Sequence, residues 1–222
     1  MIRAVLFDFD LTLADSSAGV IVCANDALSA LGFPHAAPDL VRRTIGLTLT
    51  RSFEVLSGNT DTALAAAYAT HFMARADCIM EPLIEWLPGA TAALRQLRQR
   101  DLRIAIVSTK MRYRIEAVLN RDGLRDAVDV VVGAEDVVNH KPHPDGIHHA
   151  LRALHIDRSQ GLYAGDHIVD AQAAAAADVP FVAVLSGLTP RQEWERFEPV
   201  ALIESVADLP ATLADLVAER RI

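Results

Sequence analysis

Apolar residues along the chain follow two different spacings, and these divide the chain into two parts. Between residues 14 and 84 they recur at helical spacing, as from Val20 to Leu31, and no run suits a buried strand. From residue 85 to residue 222, short apolar runs alternate with amphipathic helical segments, which is typical of a parallel sheet with right-handed crossovers. The opening run, Ala4–Phe7, suits a strand buried on both faces. We therefore predict an α/β core domain of residues 1–13 and 85–222, interrupted by a helical domain of residues 14–84.

The core is predicted to be a Rossmann-like parallel sheet covered by helices, in three αβα layers. After Ala4–Phe7, its strands are predicted at 103–107, 128–132, 161–164 and 181–185, with an edge strand at 200–203. Its helices are predicted at 91–100, 113–120, 144–154, 168–177 and 206–219. In the inserted domain, helices are predicted at 20–31, 49–56 and 62–73, with a shorter one from Pro38 to about Gly46.

The composition limits the class of protein and its partners. Of the 222 residues, 51% are hydrophobic and 23% are charged, as in ordinary globular proteins. The net charge of -8 argues against nucleic acid or an anionic membrane as the main partner. Cys23 and Cys78 fit neither a disulfide framework nor a zinc pattern, and the histidines between residues 140 and 167 match no zinc template. Because no apolar stretch has the length of a membrane span and no leader precedes the first strand, we expect a cytoplasmic protein.

Two carboxylates and a hydroxyl follow the first predicted strand. Asp8 and Asp10 come directly after Ala4–Phe7, and Thr12 lies two residues further on. Open α/β sheets bind their ligands at the carboxyl ends of the strands, and an unpaired aspartate is costly to bury. These acids could cap a following helix, or they could hold a cation.

Further polar residues follow the other predicted strands. Ser108 closes the second strand, Lys141 lies in the loop after the third, and Asp166 closes the fourth, with Asp170 one helical turn further on. Each could be a cap or a solvated loop residue, but the chain has only two lysines, Lys110 and Lys141, and both lie beside strand ends. Several carboxylates at one sheet edge would repel each other unless they shared a hard cation. Oxygen ligands of this kind are those that Mg²⁺ prefers.

This set of groups favours phosphoryl transfer through a covalent intermediate. A carboxylate can act as the nucleophile and form an aspartyl-phosphate. Mg²⁺ and Lys141 would neutralise the charge of a phosphate that approaches an anionic nucleophile. Ser108 can hydrogen-bond a phosphoryl oxygen, and Asp10 can protonate the leaving oxygen and then activate water.

Four motifs resemble those of the haloacid dehalogenase superfamily in their order and approximate spacing: D-F-D-L-T, I-V-S-T-K, K-P-H-P-D and G-D-H-I-V-D. The resemblance covers essentially the whole chain. The segment D-S-S-A-G-V-I-V-C-A-N-D-A-L is similar to the phosphoglycolate phosphatase group, which has a helical cap inserted at this point. The resemblance implies that Asp8 is the nucleophile, Asp10 the general acid and base, Ser108 a phosphate ligand and Lys141 the charge clamp. It also implies that Mg²⁺ is held by Asp8, the Asp10 backbone carbonyl and Asp166, with Asp170 in support.

Individual residues distinguish among the reactions of this superfamily. A dehalogenase would not need Asp10 as a second acid, and a phosphonate-cleaving relative would need a lysine in the inserted domain, which has none. Sugar phosphomutases of this group have a histidine where Val20 stands and an arginine about where Leu49 stands. We therefore expect a phosphatase. The alternatives are a phosphomutase or pyrophosphatase of the same superfamily, a receiver-like phospho-switch, or a non-catalytic binding protein.

Leu11 is the one departure from the first motif, because the superfamily usually has glycine at this position. Leucine disfavours positive φ. The turn after Asp10 is therefore expected to differ slightly from that of the relatives.

The expected substrate is a small phosphorylated metabolite, and the protein is expected to be a monomer or a homodimer. Thr12 and Thr109 are further candidates for contacts with the substrate. In the inserted domain, Arg42, Arg43 and Arg51 flank the turn at Gly46. One of them, with Arg43 as the choice, is expected to bind a distal acidic group of the substrate, although a solvated helix face is equally compatible with the pattern.

The two connections between the predicted domains, residues 14–17 and 83–88, are the predicted hinges. We expect the helical domain to close about them and exclude water during the reaction.

Overall fold

The computed structural model describes residues 2–219, which form eight strands and nine α-helices. The strands are β1 (Ala4–Phe7), β2 (Ala14–Asp15), β3 (Glu85–Trp86), β4 (Arg103–Val107), β5 (Val130–Val132), β6 (Gly161–Gly165), β7 (Phe181–Val184) and β8 (Ala201–Ile203). The helices are α1 (Ser17–Ala30), α2 (Pro38–Arg42), α3 (Leu49–Ser57), α4 (Thr62–Ile79), α5 (Ala90–Gln99), α6 (Arg112–Arg121), α7 (Asp145–Leu154), α8 (Ile168–Ala177) and α9 (Leu209–Ala218). None of the helices in this range combines the length and the apolar composition that a membrane span requires.

A six-stranded parallel sheet in the order β5-β4-β1-β6-β7-β8 forms the centre of the core. Strand β1 lies in the middle, and all four of its residues are buried, as expected of a strand covered on both faces. Strand β8 lies at an edge, as predicted. The predicted α/β fold, a parallel sheet with surrounding helices and a helical insertion, is confirmed.

The register brings the carboxyl ends of three strands to one level. Phe7, the last residue of β1, is paired with Ile106 of β4 and with Ala164 of β6. The strand order also changes direction at β1, since β4 and β5 extend the sheet on one side and β6, β7 and β8 extend it on the other. Such a switch point opens a crevice in which α/β folds bind their ligands.

The core helices pack on the sheet through one apolar face each. The buried residues of α5 recur at helical spacing: Ala90, Ala93, Leu94 and Leu97. Helix α8, which contacts β6 and β7, buries mainly small side chains: Ala171, Ala173, Ala174 and Ala177. Alanine keeps the helix stable and lets its backbone approach the strands closely.

By internal contacts the chain divides into two compact units. One unit ends at Ala14 and resumes at Trp86, and the other is Asp15–Glu85. Strands β2 and β3 form a separate two-stranded sheet. The assignment of residues 14–84 as a helical cap domain stays a prediction, as do the hinges at its two ends.

The helical unit is built on the packing of α1 against α4. Gly19 in α1 allows a close approach, because a Cβ atom there would lie 2.6 Å from the sulfur of Met80. Helix α3 contributes Phe53, whose ring lies 5.5 Å from that of Tyr68 in α4. The buried side chains of this unit therefore form a core of their own.

Two helices of this unit end at residues other than those predicted. Helix α4 continues past Met73 to Ile79, because its apolar face continues through the buried Ala76. Helix α2 ends at Arg42 instead of near Gly46, and the chain goes on in turns from there.

Candidate active site

Three polar side chains follow the carboxyl ends of neighbouring strands. Asp8 follows β1, Ser108 follows β4 and Asp166 follows β6, and all three are buried. Because these strands are adjacent and in register, their carboxyl ends meet at one edge of the sheet. The fold thus brings together residues that lie far apart in the sequence.

Lys141, in the loop before α7, places its ammonium group beside Asp8. Its Nζ lies 2.8 Å from Asp8 Oδ1, 2.6 Å from Asp170 Oδ1 and 3.2 Å from the hydroxyl oxygen of Tyr163. An ammonium group has three N–H donors, so these three contacts satisfy it although its side chain is only 4% exposed. The lysine is therefore fixed next to the Asp8 carboxylate.

Asp170 holds this lysine in place. It lies in the first turn of α8, where it accepts a hydrogen bond from the backbone N–H of His167 at 3.1 Å. Its Oδ1 also lies 3.1 Å from the Tyr163 hydroxyl. A helix N-terminus favours a negative charge, and the lysine compensates the burial of this carboxylate.

Asp8, Asp166 and Asp170 form a group that could hold a metal ion. One carboxylate oxygen from each lies within 4.8 Å of the others, and all three residues are buried. When ionised, these three carboxylates together with Lys141 carry two net negative charges, which a divalent cation would neutralise. Because all the side-chain ligand atoms are carboxylate oxygens, which are hard ligands, the group fits Mg²⁺.

Burial and mutual repulsion shift the titration of these groups. Burial raises the pKa of Asp8 from 3.8 to about 7, with Lys141 opposing the rise and Asp170 adding to it. Burial and the charge of Asp8 hold the pKa of Asp166 well above its usual range. Burial alone would lower the pKa of Lys141, but the carboxylates of Asp170 and Asp8 hold it well above its usual value. In the described part of the chain, the three carboxylates of this group outnumber Lys141, the lysine that contacts two of them, as expected at a cation site.

The side chain of Asp10 has a different partner from that of Asp8. Its Oδ2 lies 3.1 Å from Nζ of Lys110, and the two side chains are only 8% and 6% exposed. Among the described residues, the carboxylates close enough to share an ion are those of Asp8, Asp166 and Asp170, without that of Asp10. The two acids of the first loop are therefore separated, and each lies beside its own lysine.

Hydroxyl groups stabilise the loops around these acids. The Thr12 hydroxyl donates a hydrogen bond to Asp166 Oδ1 at 2.7 Å, which links the first loop to the end of β6. The Ser108 Oγ accepts a hydrogen bond from the backbone N–H of Lys110 at 3.2 Å, and Thr109 between them is half-buried. The contacts with substrate that were expected of Thr12, Ser108 and Thr109 stay predictions.

Leu11 adopts a left-handed backbone conformation, against the expectation from its sequence. Its φ is +60°, in the region that glycine accepts and leucine disfavours. The loop is held there by two hydrogen bonds, from the Leu11 N–H to the Ala14 carbonyl at 2.7 Å and from the Ser186 hydroxyl to the Leu11 carbonyl at 2.6 Å. The leucine side chain is buried, and this burial offsets a strain of about 1–2 kcal/mol.

Two glycines leave room for the acids. A Cβ atom at Gly165 would lie 2.6 Å from the carboxyl carbon of Asp170, and one at Gly187 would overlap the carboxylate of Asp166. The backbone therefore approaches both carboxylates more closely than any other residue type would allow.

Three residues near the acids, Tyr163, Lys110 and Gly187, were not assigned a role from the sequence. Tyr163 is the only residue with a polar side chain in the buried strand G-L-Y-A-G, which is a signal in the sequence. Lys110 stands out as one of only two lysines. Gly187 has no comparable signal, because its importance comes from its contact with Asp166.

Two other candidates are Arg43, in the helical unit, and His167, at the start of α8. Arg43 is an exposed residue at the end of α2 in the helical unit, and its contact with substrate stays a prediction. His167 is the N-cap of α8, and its Nδ1 accepts a hydrogen bond from the Val169 N–H at 3.2 Å. Burial lowers the pKa of His167, which favours the neutral form of its ring.

The chain is similar to known proteins over most of its length. The sequence model of the haloacid dehalogenase-like hydrolase family matches residues 5–184. A phosphoglycolate phosphatase of Cupriavidus necator is 30% identical over 222 residues, which cover 95% of this chain and 92% of the relative. The pyrophosphatase PpaX of Listeria monocytogenes is 28% identical over 220 residues, which cover 96% of this chain and 97% of the relative. The solved structure of a Bacteroides fragilis protein assigned to the haloacid dehalogenase-like hydrolases is 37% identical, with a TM-score of 0.91 over 94% of this chain and 100% of that one.

Proposed function

Because the chain belongs to the haloacid dehalogenase-like hydrolases, we propose that it is a Mg²⁺-dependent phosphatase. It hydrolyses a small phosphomonoester through an aspartyl-phosphate formed on Asp8. The observation that carries this proposal is the contact between Asp8 and Lys141 within a group of buried carboxylates.

Asp8 is the proposed nucleophile because of its position and its neighbours. It follows the central strand of the sheet, at the switch point where α/β folds bind ligands. The Lys141 ammonium, 2.8 Å away, reduces the repulsion between the Asp8 carboxylate and an incoming phosphoryl group. Ser108, at the end of the adjacent strand, donates its hydroxyl to a phosphoryl oxygen.

The proposed cation ligands are the carboxylates of Asp8 and Asp166 and the backbone carbonyl of Asp10, with Asp170 in support. Bound Mg²⁺ supplies the charge neutralisation that a dianionic substrate needs. The Thr12 hydroxyl fixes Asp166 in this arrangement, while Asp170 fixes Lys141.

Asp10 is the proposed proton carrier. Its carboxylate lies outside the group that could hold the cation in the described structure, so it is available to protonate the leaving oxygen. After the alcohol has left, the same carboxylate takes a proton from the water that attacks the phosphorus of the aspartyl-phosphate.

Replacement of the nucleophile tests the proposal. Asp8→Asn should lower the Mg²⁺-dependent turnover of p-nitrophenyl phosphate by at least about 10³-fold, because an amide cannot form the covalent intermediate. Asp178→Asn is the matched control, since this carboxylate is exposed and asparagine tolerates its left-handed backbone. A fully active Asp8→Asn variant would contradict the proposal, and a single stoichiometric burst by the wild type would favour a phospho-switch.

The proposed substrate is a small phosphorylated acid of the phosphoglycolate type, in the cytoplasm. The support is the similarity to a relative named a phosphoglycolate phosphatase over nearly the whole chain. A relative named a pyrophosphatase matches over a similar length, so pyrophosphate is the second candidate. Initial rates with a panel that includes both compounds, a sugar phosphate and a nucleotide would identify the preferred class.

Arg43 is the proposed residue for a distal carboxylate of the substrate. Arg43→Ala should raise the KM for phosphoglycolate by about tenfold and leave the KM for a neutral phosphate ester unchanged. The neighbouring Arg42→Ala should be measured in the same way, and Arg75→Ala, an exposed arginine of α4, serves as the control. If Arg43→Ala and Arg42→Ala both leave the discrimination between the two esters unchanged, the recognition lies elsewhere.

A further inference from the structure

The only two lysines of the chain each contact one acid of the first loop. Lys141 lies 2.8 Å from Asp8, and Lys110 lies 3.1 Å from Asp10. All four side chains are less than a tenth exposed, so both ion pairs are largely shielded from water. The first pair contains the proposed nucleophile and the second contains the proposed proton carrier, but Lys110 itself has no role in the reaction described above.

Two hydrogen bonds fix the backbone of Lys110. Its N–H donates to Ser108 Oγ at 3.2 Å, and its carbonyl accepts a hydrogen bond from the Ala134 N–H at 3.1 Å. These contacts fix the residue between the end of β4 and the segment that follows β5. A lysine anchored in this way can impose a position on the carboxylate that it contacts.

We propose that Lys110 is a positioning residue that keeps the Asp10 carboxylate in place for proton transfer and away from the cation. This inference rests on the proposed function. Asp10 is only two residues from Asp8, and a free carboxylate so close to a divalent cation would tend to become a further ligand. The Lys110 ion pair provides an alternative partner for the Asp10 carboxylate, and that carboxylate lies outside the group of possible ligands in the described residues.

The position of Asp10 matters in both halves of the reaction. In the first half, Asp8 Oδ bonds to phosphorus, the bond from phosphorus to the leaving oxygen breaks, and that oxygen takes the proton of Asp10. In the second half, water bonds to phosphorus, Asp10 takes a proton from the water, and the bond to Asp8 breaks to release inorganic phosphate. An alkoxide leaving group needs the proton in the first half, whereas p-nitrophenolate leaves without it.

The test compares leaving groups in Lys110→Met and Lys110→Arg. Lys110→Met should lower the turnover rate with an alkyl phosphate, such as β-glycerophosphate, much more than it lowers the rate of the first turnover of p-nitrophenyl phosphate. The two fold-decreases should differ by at least about tenfold. With p-nitrophenyl phosphate it should show a stoichiometric burst of p-nitrophenol, because the aspartyl-phosphate then forms faster than it is hydrolysed. Lys110→Arg keeps the charge and should recover most of the turnover with the alkyl phosphate.

A double mutant shows whether Lys110 acts through Asp10. If it does, Lys110→Met in the Asp10→Asn background should cause no further loss with the alkyl phosphate. Equal losses with both substrates and no burst, or additive losses in the double mutant, would overturn the inference. Absence of turnover in the wild type would instead refute the proposed function, so the two failures are distinguishable.

Discussion

At the scale of single residues, backbone geometry near Asp10 and Asp166 controls the arrangement of the acids. Leu11 is held at φ +60° by hydrogen bonds from its own N–H and from the Ser186 hydroxyl, so a residue that disfavours this conformation adopts it. Gly187 follows Ser186 and lies so close to Asp166 that no side chain fits there. The segment after β7 therefore influences both the first loop and one of the proposed cation ligands.

Gly187→Ala should weaken Mg²⁺ binding. The added Cβ would overlap the Asp166 carboxylate, so this carboxylate or its loop must shift, and we expect a loss of about 10- to 100-fold in Mg²⁺ affinity. Titration calorimetry with Mg²⁺ measures the effect. Leu188→Ala, at a position 44% exposed in the same loop, should bind Mg²⁺ like the wild type. Unchanged affinity in Gly187→Ala would show that Asp166 is not a ligand or that the loop yields easily.

At the scale of elements, α8 combines two requirements in ten residues. Its first turn carries Asp170, which must meet Lys141, and the rest of the helix must lie close to β6 and β7. The buried alanines of its inner face allow this approach, and nearby Ala175 and Ala176 are exposed. The position of Asp170 therefore depends on small residues further along the same helix.

Ala174→Leu and Ala175→Leu form a matched pair for testing this packing. Both changes keep a strong helix former, so the difference between them reports the packing alone. Ala174 is fully buried, and a leucine there should lower the free energy of unfolding by about 1–3 kcal/mol. Ala175 is exposed, and its replacement should change that free energy by less than about 0.5 kcal/mol. Urea unfolding measures both, and equal effects would contradict the close packing of α8.

At the scale of the whole molecule, the chain has a net charge of -8, and its buried group of acids, Asp8, Asp166 and Asp170, is not neutralised by the lysine beside it. The imbalance is local, since Lys141 contributes one positive charge to a group of three carboxylates and contacts two of them, Asp8 and Asp170. Cation binding should therefore be coupled to pH and to the stability of the fold.

The stabilisation by Mg²⁺ should grow as pH rises through about 7. Without a cation, the pKa of Asp8 is raised from 3.8 to about 7. Protonated Asp8 therefore stabilises the folded state at pH values below the pKa that Asp8 has in the unfolded chain. This stabilisation is lost as the pH rises to about 7. The deprotonated carboxylate is the form that binds the cation, so Mg²⁺ affinity should rise by up to about tenfold per pH unit below that value.

Thermal unfolding with millimolar Mg²⁺ and with a chelator, between about pH 5 and about pH 8, measures this coupling. The difference in Tm should widen with pH in the wild type and much less in Asp8→Asn. A difference that stays constant across this range would show that the cation does not compete with protons at Asp8.

The fold class and the strand ends that carry most polar residues of the site could be predicted from the amino-acid sequence. Apolar runs of strand length alternate with amphipathic helices, and this pattern predicts a parallel sheet whose strand ends meet. Asp8, Ser108 and Asp166 could therefore be assigned to one edge before any distance was known, and the motifs around them resemble one superfamily. Element ends were predicted less well, as α4 shows, because the last turns depend on what the helix packs against.

The contacts between individual side chains could not be predicted, because they depend on how separate elements pack together. The pairing of Lys110 with Asp10, the place of Tyr163 beside Lys141 and the clearance between Gly187 and Asp166 all join residues distant in sequence. The left-handed backbone of Leu11 likewise depends on a hydroxyl far along the chain, at Ser186. Local sequence determines propensity and periodicity, whereas distances of a few ångströms between side chains arise only when separate elements pack together.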